Sequence, residues 1–234
     1  MYQSYISRWL VKGIQQAVRN QNSVLSLLQN GANKSAADYI RTELLDSSTL
    51  VFSSKQNCRR HFFSQQFLSN TVGLVLDFGV HNGKSTLQLG DGLLGQERVV
   101  WGFDAFEGIR DPWSKTDRPV GSMALDGKVL PALVDHPKIE IVVGWVEDTL
   151  ADFLEKRLDS VGLVHFDMDV FIPTRFALEA VKPRLKPGAI IVFDDYFGFI
   201  GWENHSHRAM TEVFSRDEYV CLGISPFQAV FLVV

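Results

Sequence analysis

Residues 161–196 read VGLVHFDMDVFIPTRFALEAVKPRLKPGAIIVFDDY, and their pattern decides the fold class. A continuous apolar run opens the stretch and ends in His165-Phe166-Asp167. Helical spacing follows over 174–185. Leu185-Lys186-Pro187-Gly188 then stops the helix, and a second apolar run over 189–195 ends in Asp194-Asp195. Runs that are apolar on both faces suit strands covered on both sides, as in a parallel sheet. Two parallel strands joined through a helix imply a right-handed crossover.

Outward from this unit the alternation repeats. Strands are expected at 72–79, 98–104, 138–144, 218–224 and 228–234, with helices at 84–94, 146–158 and 206–214. Only Ser225-Pro226-Phe227 joins the last two strands, too short for a crossover, so they form an antiparallel hairpin. The expectation is an α/β fold: a doubly wound, seven-stranded, mostly parallel, Rossmann-like sheet with an antiparallel last strand. Residues 1–69, rich in Gln, Asn and Ser, read as a helical N-terminal extension or lid without a strong strand; residues 70–234 carry the sheet. Residues 105–137 form a long connection containing Pro112, Pro119, Pro131 and Pro137, a length typical of a lid or binding loop.

The 234 residues are 46% hydrophobic and 21% charged, which excludes wholesale disorder and fits one large domain. A formal charge of -4 argues against a nucleic-acid partner. No apolar run is long enough for a transmembrane helix, so no membrane partner is expected. Cys58 and Cys221 are too few for a disulfide scaffold and read as reduced residues of a cytoplasmic protein. Arg8, Lys12, Arg19 and Lys34 precede the first acid, Asp38, as in a transit peptide. The plainer reading is an amphipathic helix with Ile6, Leu10, Ile14 and Ala17 on one stripe, which could pack on its own domain or form a homo-oligomer contact.

Five strand ends carry chemistry. Asp77-Phe78-Gly79-Val80-His81-Asn82-Gly83 leads into a helix opening at Lys84-Ser85-Thr86, whose free N–H groups and glycines allow close approach of a ligand. Asp104 ends the next strand, where α/β folds grip ribose hydroxyls. Trp145 and Asp148 follow the third and could hold an adenine; the alternative is a plain helix start, with Glu147 and Asp148 favouring the helix dipole. Asp167 and Asp169 end the fourth, Asp194 and Asp195 the fifth. Adjacent parallel strands would crowd these carboxylates, and oxygen-only ligands at that density suit Mg²⁺, Mn²⁺ or Ca²⁺.

In this order the words LDFGVHNGKS, GFDAFEG, GWVEDTL and HFDMDVFIPTRFALEAVKPRLKPGAIIVFDDY resemble class I S-adenosylmethionine-dependent methyltransferases, over about residues 70–215. More narrowly they resemble the macrocin O-methyltransferase family of metal-dependent sugar O-methyltransferases. The resemblance implies that Asp77, Gly79, Gly83 and Ser85 line the methionine part of S-adenosylmethionine, Asp104 the ribose, and Trp145 and Asp148 the adenine. It implies Mg²⁺ on Asp167, Asp194 and Asp195. Asp167 or Asp169 would be the base that deprotonates a hydroxyl of a small-molecule vicinal diol, either a sugar of a natural product or glycan, or a catechol. His165, His205 and His207 are alternative bases, although a histidine in such a place more often serves the structure. A nicotinamide-dependent oxidoreductase would need the Gly-x-Gly-x-x-Gly turn that this chain lacks. An inactive binding module would have to keep clustered carboxylates without a metal, which is costly.

Overall fold

The computed structural model describes residues 23–111, 113 and 118–234. The stripe of Ile6, Leu10, Ile14 and Ala17 lies outside them. The chain begins with α1 (Val24–Tyr39), a π-helical turn (Ile40–Leu44), β1 (Leu50–Val51), α2 (Lys55–Phe62) and α3 (Gln65–Leu68). There follow β2 (Leu74–Phe78), α4 (Lys84–Gly92), β3 (Val100–Asp104), α5 (Pro131–Val134), β4 (Ile139–Val143) and α6 (Val146–Glu155). The chain closes with β5 (Val161–Phe166), α7 (Phe171–Val181), β6 (Leu185–Phe193), α8 (Ser206–Val213), β7 (Tyr219–Ile224) and β8 (Ala229–Val233).

The strands form one sheet in the order β1-β7-β8-β6-β5-β2-β3-β4. β8 runs antiparallel to both neighbours, and every other pair is parallel. This is the doubly wound sheet expected, with one strand more. The eighth, β1, comes from the segment read as purely helical and pairs with β7 through Leu50 and Val51. Two exposed residues give no periodic signal, so nothing in their pattern announces a strand. β6 also starts earlier than the Pro-Gly stop implied. Pro187 and Gly188 lie within it, where the pairing with β5 shifts register, the irregular kind of place a strand proline tolerates.

Every residue of β5 is buried, as its unbroken apolar run requires. Phe103, Phe78, Phe166 and Phe193 occupy matching positions on β3, β2, β5 and β6. Phe166 stacks on both Phe78 and Phe193 at 17° between planes, with centroids 5.3 and 5.1 Å apart. Phe103 closes the row 4.9 Å from Phe78. All four are buried, each contributing about 1.5–3 kcal/mol.

The N-terminal segment is bound to this sheet at several points. The Arg98 guanidinium donates to the Leu68 and Gly73 carbonyls and to the Thr71 hydroxyl, tying the end of α3 to the entry of β2. α1 lies on the loop after β6: Gln29 donates to the Gly198 carbonyl, and the Trp202 indole N–H to Ser35.

Gly79 follows β2 at φ 91°, and a Cβ there would sit 2.0 Å from the Asp167 carbonyl oxygen. Gly79→Ala is therefore expected to lose about 3 kcal/mol or more, read as a lower denaturant midpoint with an unchanged slope.

Candidate active site

Parallel strands in register carry side chains of matched positions on the same face. One step before the phenylalanine row, Asp77 on β2 faces His165 on β5. His165 Nδ1 lies 2.7 Å from Asp77 Oδ1, and both side chains are fully buried. The other oxygen of Asp77 accepts from the Thr86 hydroxyl at 2.6 Å. His165 Nε2 lies 3.7 Å from Asp194 Oδ1. Burial alone would lower the His165 pKa, but Asp77 and Asp194 on either side reverse this and push it up to about 10. His165 thus lies between two acids that favour its charged form. His207 packs edge-on against Tyr39 and Trp202, and His205 is buried; neither lines the cavities described next.

A cleft opens at the carboxyl ends of β2, β3 and β4. Its walls include Gly79, Asp104, Ile109, Trp145, Glu147 and Asp167. Asp104 is held rigidly: Oδ2 accepts from the His81 backbone N–H at 2.7 Å and Oδ1 from that of Phe106 at 2.6 Å. Each oxygen keeps a lone pair for a ligand. The Arg110 guanidinium lies 4.2 Å over the Trp145 ring. Of the residues singled out in the sequence, Gly79, Asp104, Trp145, Asp167 and Asp169 are brought to this wall.

Of the residues expected around the cofactor, four are not. Asp77 has both oxygens bonded inside the protein. Gly83 caps α4 against Leu133, and Ser85 is buried in that helix. Asp148 has a side chain 69% exposed, turned toward Arg110 at 3.8 Å. Its neighbour Glu147 takes the wall position instead. Glu147 Oε2 is buried without a hydrogen bond among the described residues, 3.8 Å from Arg110.

A second cavity adjoins the first. It is lined by Ser53, Ser54, Lys55, Trp113, Arg118, Phe227 and Asp195, and it shares Met123, Asp167 and Asp169 with the cleft. Asp167, Asp169 and Asp195 present carboxylate oxygens within 4.8 Å of one another; His165, Asp167 and Asp194 form a second such group. Asp169 stands at φ 62°, in the left-handed region that Asp and Asn tolerate best. Burial, with Asp194 nearby, raises the pKa of Asp167; burial, with Asp167 and Asp195 nearby, raises that of Asp169. Asp194 goes the other way. Burial would raise its pKa, but His165, Lys55 and Arg59 overcome this and hold it well below the usual range.

Lys55 Nζ bridges the pair, 2.9 Å from Asp194 Oδ2 and 3.0 Å from Asp195 Oδ1. Gln228 also donates to Asp194 Oδ1, and Arg59 Nη1 lies 3.6 Å from it. No sequence motif marks Lys55, Arg59, Gln228 or Glu147. The first two lie in the segment without a motif; a lone glutamine after a hairpin turn carries no signal; Glu147 stands in the first turn of α6, where an acid also suits the helix dipole.

A methyltransferase-domain family model matches residues 76–196, just over half of the chain, and takes in the carboxyl ends of β2 to β6 described above. The chain belongs to this methyltransferase family. Its sheet order and antiparallel last strand are those of class I methyltransferases. It is 31% identical, over 42% of each chain, to 8-demethyl-8-(2,3-dimethoxy-alpha-L-rhamnosyl)-tetracenomycin-C 4'-O-methyltransferase of Streptomyces olivaceus. It is 25% identical, over 70% of each, to mycinamicin III 3''-O-methyltransferase of Micromonospora griseorubida. The chain thus spans under half the length of the first of these relatives and about two thirds of the second. Among solved structures, the O-methyltransferase NovP superposes with a TM-score of 0.58 at 18% identity, over 76% of this chain and 78% of that one. The calicheamicin methyltransferase CalS11 gives 0.57 at 18% identity, over 90% and 93%. These superpositions establish the fold.

The raised pKa of Asp169 has a consequence for stability in this methyltransferase. Its native carboxyl keeps a proton that the unfolded chain has already lost. The resulting destabilisation is absent below about pH 4 and grows as pH rises from there through the raised native pKa. Asp169→Asn, tested by thermal melting in EDTA, is expected to stabilise the protein by about 1–3 kcal/mol near pH 7.5 and by nothing near pH 3.5.

Proposed function

We propose that this protein transfers a methyl group from S-adenosylmethionine to a hydroxyl of a vicinal diol, on a sugar of a natural product, with a divalent ion such as Mg²⁺ in the acidic cluster. The observation that carries the reading is the meeting of two cavities at Asp167 and Asp169. A donor in one and an acceptor in the other would face each other across these two carboxyl groups. The curated relatives, both named as O-methyltransferases, support the reaction class.

In the cleft, Asp104 is the ribose residue, since its fixed oxygens can accept from two neighbouring hydroxyls. Trp145 gives the adenine a flat neighbour. Glu147, with a buried oxygen that has no hydrogen-bond partner among the described residues, is a better acceptor for the exocyclic amine than the exposed Asp148. Gly79 leaves room for the methionine part to approach the backbone. Asp77 acts from behind the wall by fixing His165 and the start of α4.

The donor set fits a hard cation: Asp167, Asp169 and Asp195 converge with oxygens only, and an ammonium already lies against Asp194 and Asp195. Asp167 and Asp195 of this group, with Asp194 beside them across the Lys55 bridge, would hold the ion. Bound there, it would lower the pKa of an acceptor hydroxyl and orient its oxygen. With positive charge bound among these carboxyls Asp169 would be ionised, and as a carboxylate it would be the base that accepts the hydroxyl proton. Trp113 and Phe227 offer apolar faces to a sugar ring, and Ser53 and Ser54 offer hydroxyls. The remaining demand on the protein is alignment of the two reactants, which rigid strand ends supply.

Calorimetric titration with S-adenosylhomocysteine tests the cofactor assignment. Micromolar binding, about -8 kcal/mol, is expected. Asp104→Ala is expected to weaken it by about 1–3 kcal/mol. Absence of binding in both Mg²⁺ and EDTA would refute the methyl-transfer reading.

A further inference from the structure

We infer that Lys55 is the resident counter-ion of the acidic cluster, and that its ammonium group and a divalent ion compete for the carboxylates of Asp194 and Asp195. This rests on the metal site proposed above and adds a residue and a control to it.

Three observations carry the inference. Lys55 Nζ contacts one oxygen of each carboxylate at hydrogen-bond distance, so it bridges the two side chains as a shared cation would. Its side chain borders the same cavity as Asp167, Asp169 and Asp195, which places it on the open side of the cluster. It is also the cation best able to leave. His165 is wholly enclosed, whereas the Lys55 side chain is 26% exposed on a flexible four-carbon stem. The Phe227 ring, 5.5 Å away, bounds it on one side.

A divalent ion brings twice the charge to the same oxygens, and like charges at such range repel strongly in a partly desolvated site. An ion taking Asp194 Oδ2 or Asp195 Oδ1 as ligand must therefore displace the ammonium. Before it does so, Lys55 holds one oxygen of each carboxylate in a single bridge. A metal-free cluster of this density would otherwise splay or take up protons. The price of this readiness is a weaker apparent affinity for the ion.

The test uses the full chain and Mn²⁺ as the probe, with bound ion measured by loss of the free-ion paramagnetic resonance signal. Lys55→Met is expected to bind Mn²⁺ about tenfold tighter or more than the parent, because the competing charge is gone. Lys55→Arg keeps the charge and is expected to stay near the parent. Metal-free Lys55→Met should melt lower than the parent and recover more on adding Mn²⁺. If Lys55→Met does not fold, the parent protein answers alone. Modification of Lys55 by an amine-reactive reagent, followed by peptide mass spectrometry, should be slow in EDTA and faster with saturating Mn²⁺.

Equal or weaker Mn²⁺ binding by Lys55→Met, or Lys55 labelling indifferent to Mn²⁺, overturns the Lys55 assignment. If that result comes with Mn²⁺ binding that Asp195→Asn abolishes, the metal site itself stands. If neither the parent nor Lys55→Met binds Mn²⁺, the metal site and the inference fall together.

Discussion

Phe103, Phe78, Phe166 and Phe193 pack in one row across four adjacent strands, and a residue at the site follows each of them. Asp104, Gly79, Asp167 and Asp194 come next in the chain, so the register that stacks the rings also aligns the strand ends. A slip of one residue on any strand would turn its phenylalanine to the other face and move the residue after it out of line. Stacking therefore does more than bury area. It fixes the relative height of groups contributed by segments far apart in sequence, to the accuracy that in-line group transfer requires.

On that frame the protein assembles a dense set of charges. Asp77, Asp167, Asp169, Asp194 and Asp195 face three close cations, His165, Lys55 and Arg59, with Arg118 at the cavity edge. Carboxyls exceed cations, and the upward shifts of Asp167 and Asp169 are the electrostatic expression of that excess. The two ends of the network differ in kind. Around Asp194 the protein supplies its own compensation, with His165, Lys55, Arg59 and Gln228 all directed at one carboxylate. Around Asp167 and Asp169 the offset from His165, Lys55 and Arg118 is only partial, and this is where the two cavities meet. Such imbalance is costly to fold, because it leaves two buried carboxyls short of positive charge, and strongly perturbed carboxyls in a cleft are characteristic of functional sites.

The sheet was legible because its strands announce themselves locally: apolar runs ending in acids, separated by helices of crossover length. The acids at the ends of β3, β5 and β6 could be read in the same way, since position on a strand end is a one-dimensional property. What could not be read is which side chains turn inward. Asp77 looked like a cofactor contact and instead spends both oxygens on Thr86 and His165. Asp148 and Glu147 are adjacent in the chain, and only the pitch of α6 decides which faces the cleft. Lys55 and β1 were invisible for a different reason. A two-residue strand has no period, and a lysine that meets its partners about 140 residues later in the chain leaves no mark on its neighbours.

The N-terminal segment also limits how the site can move. β1 pairs with β7, the Phe52 N–H donates to the Ile224 carbonyl at 2.8 Å, and Ser54 caps α2 at the residue before Lys55. Arg98 fixes the far end of the same segment. The backbone that carries Lys55 is thus stitched into the sheet on both sides. Lifting it as a rigid lid would break strand pairing as well as the charge bridge. Rotation about side-chain bonds breaks only the bridge, and it is fast on the timescale of turnover. Access to the carboxylates of Asp194 and Asp195 is therefore governed by one lysine side chain on a fixed backbone.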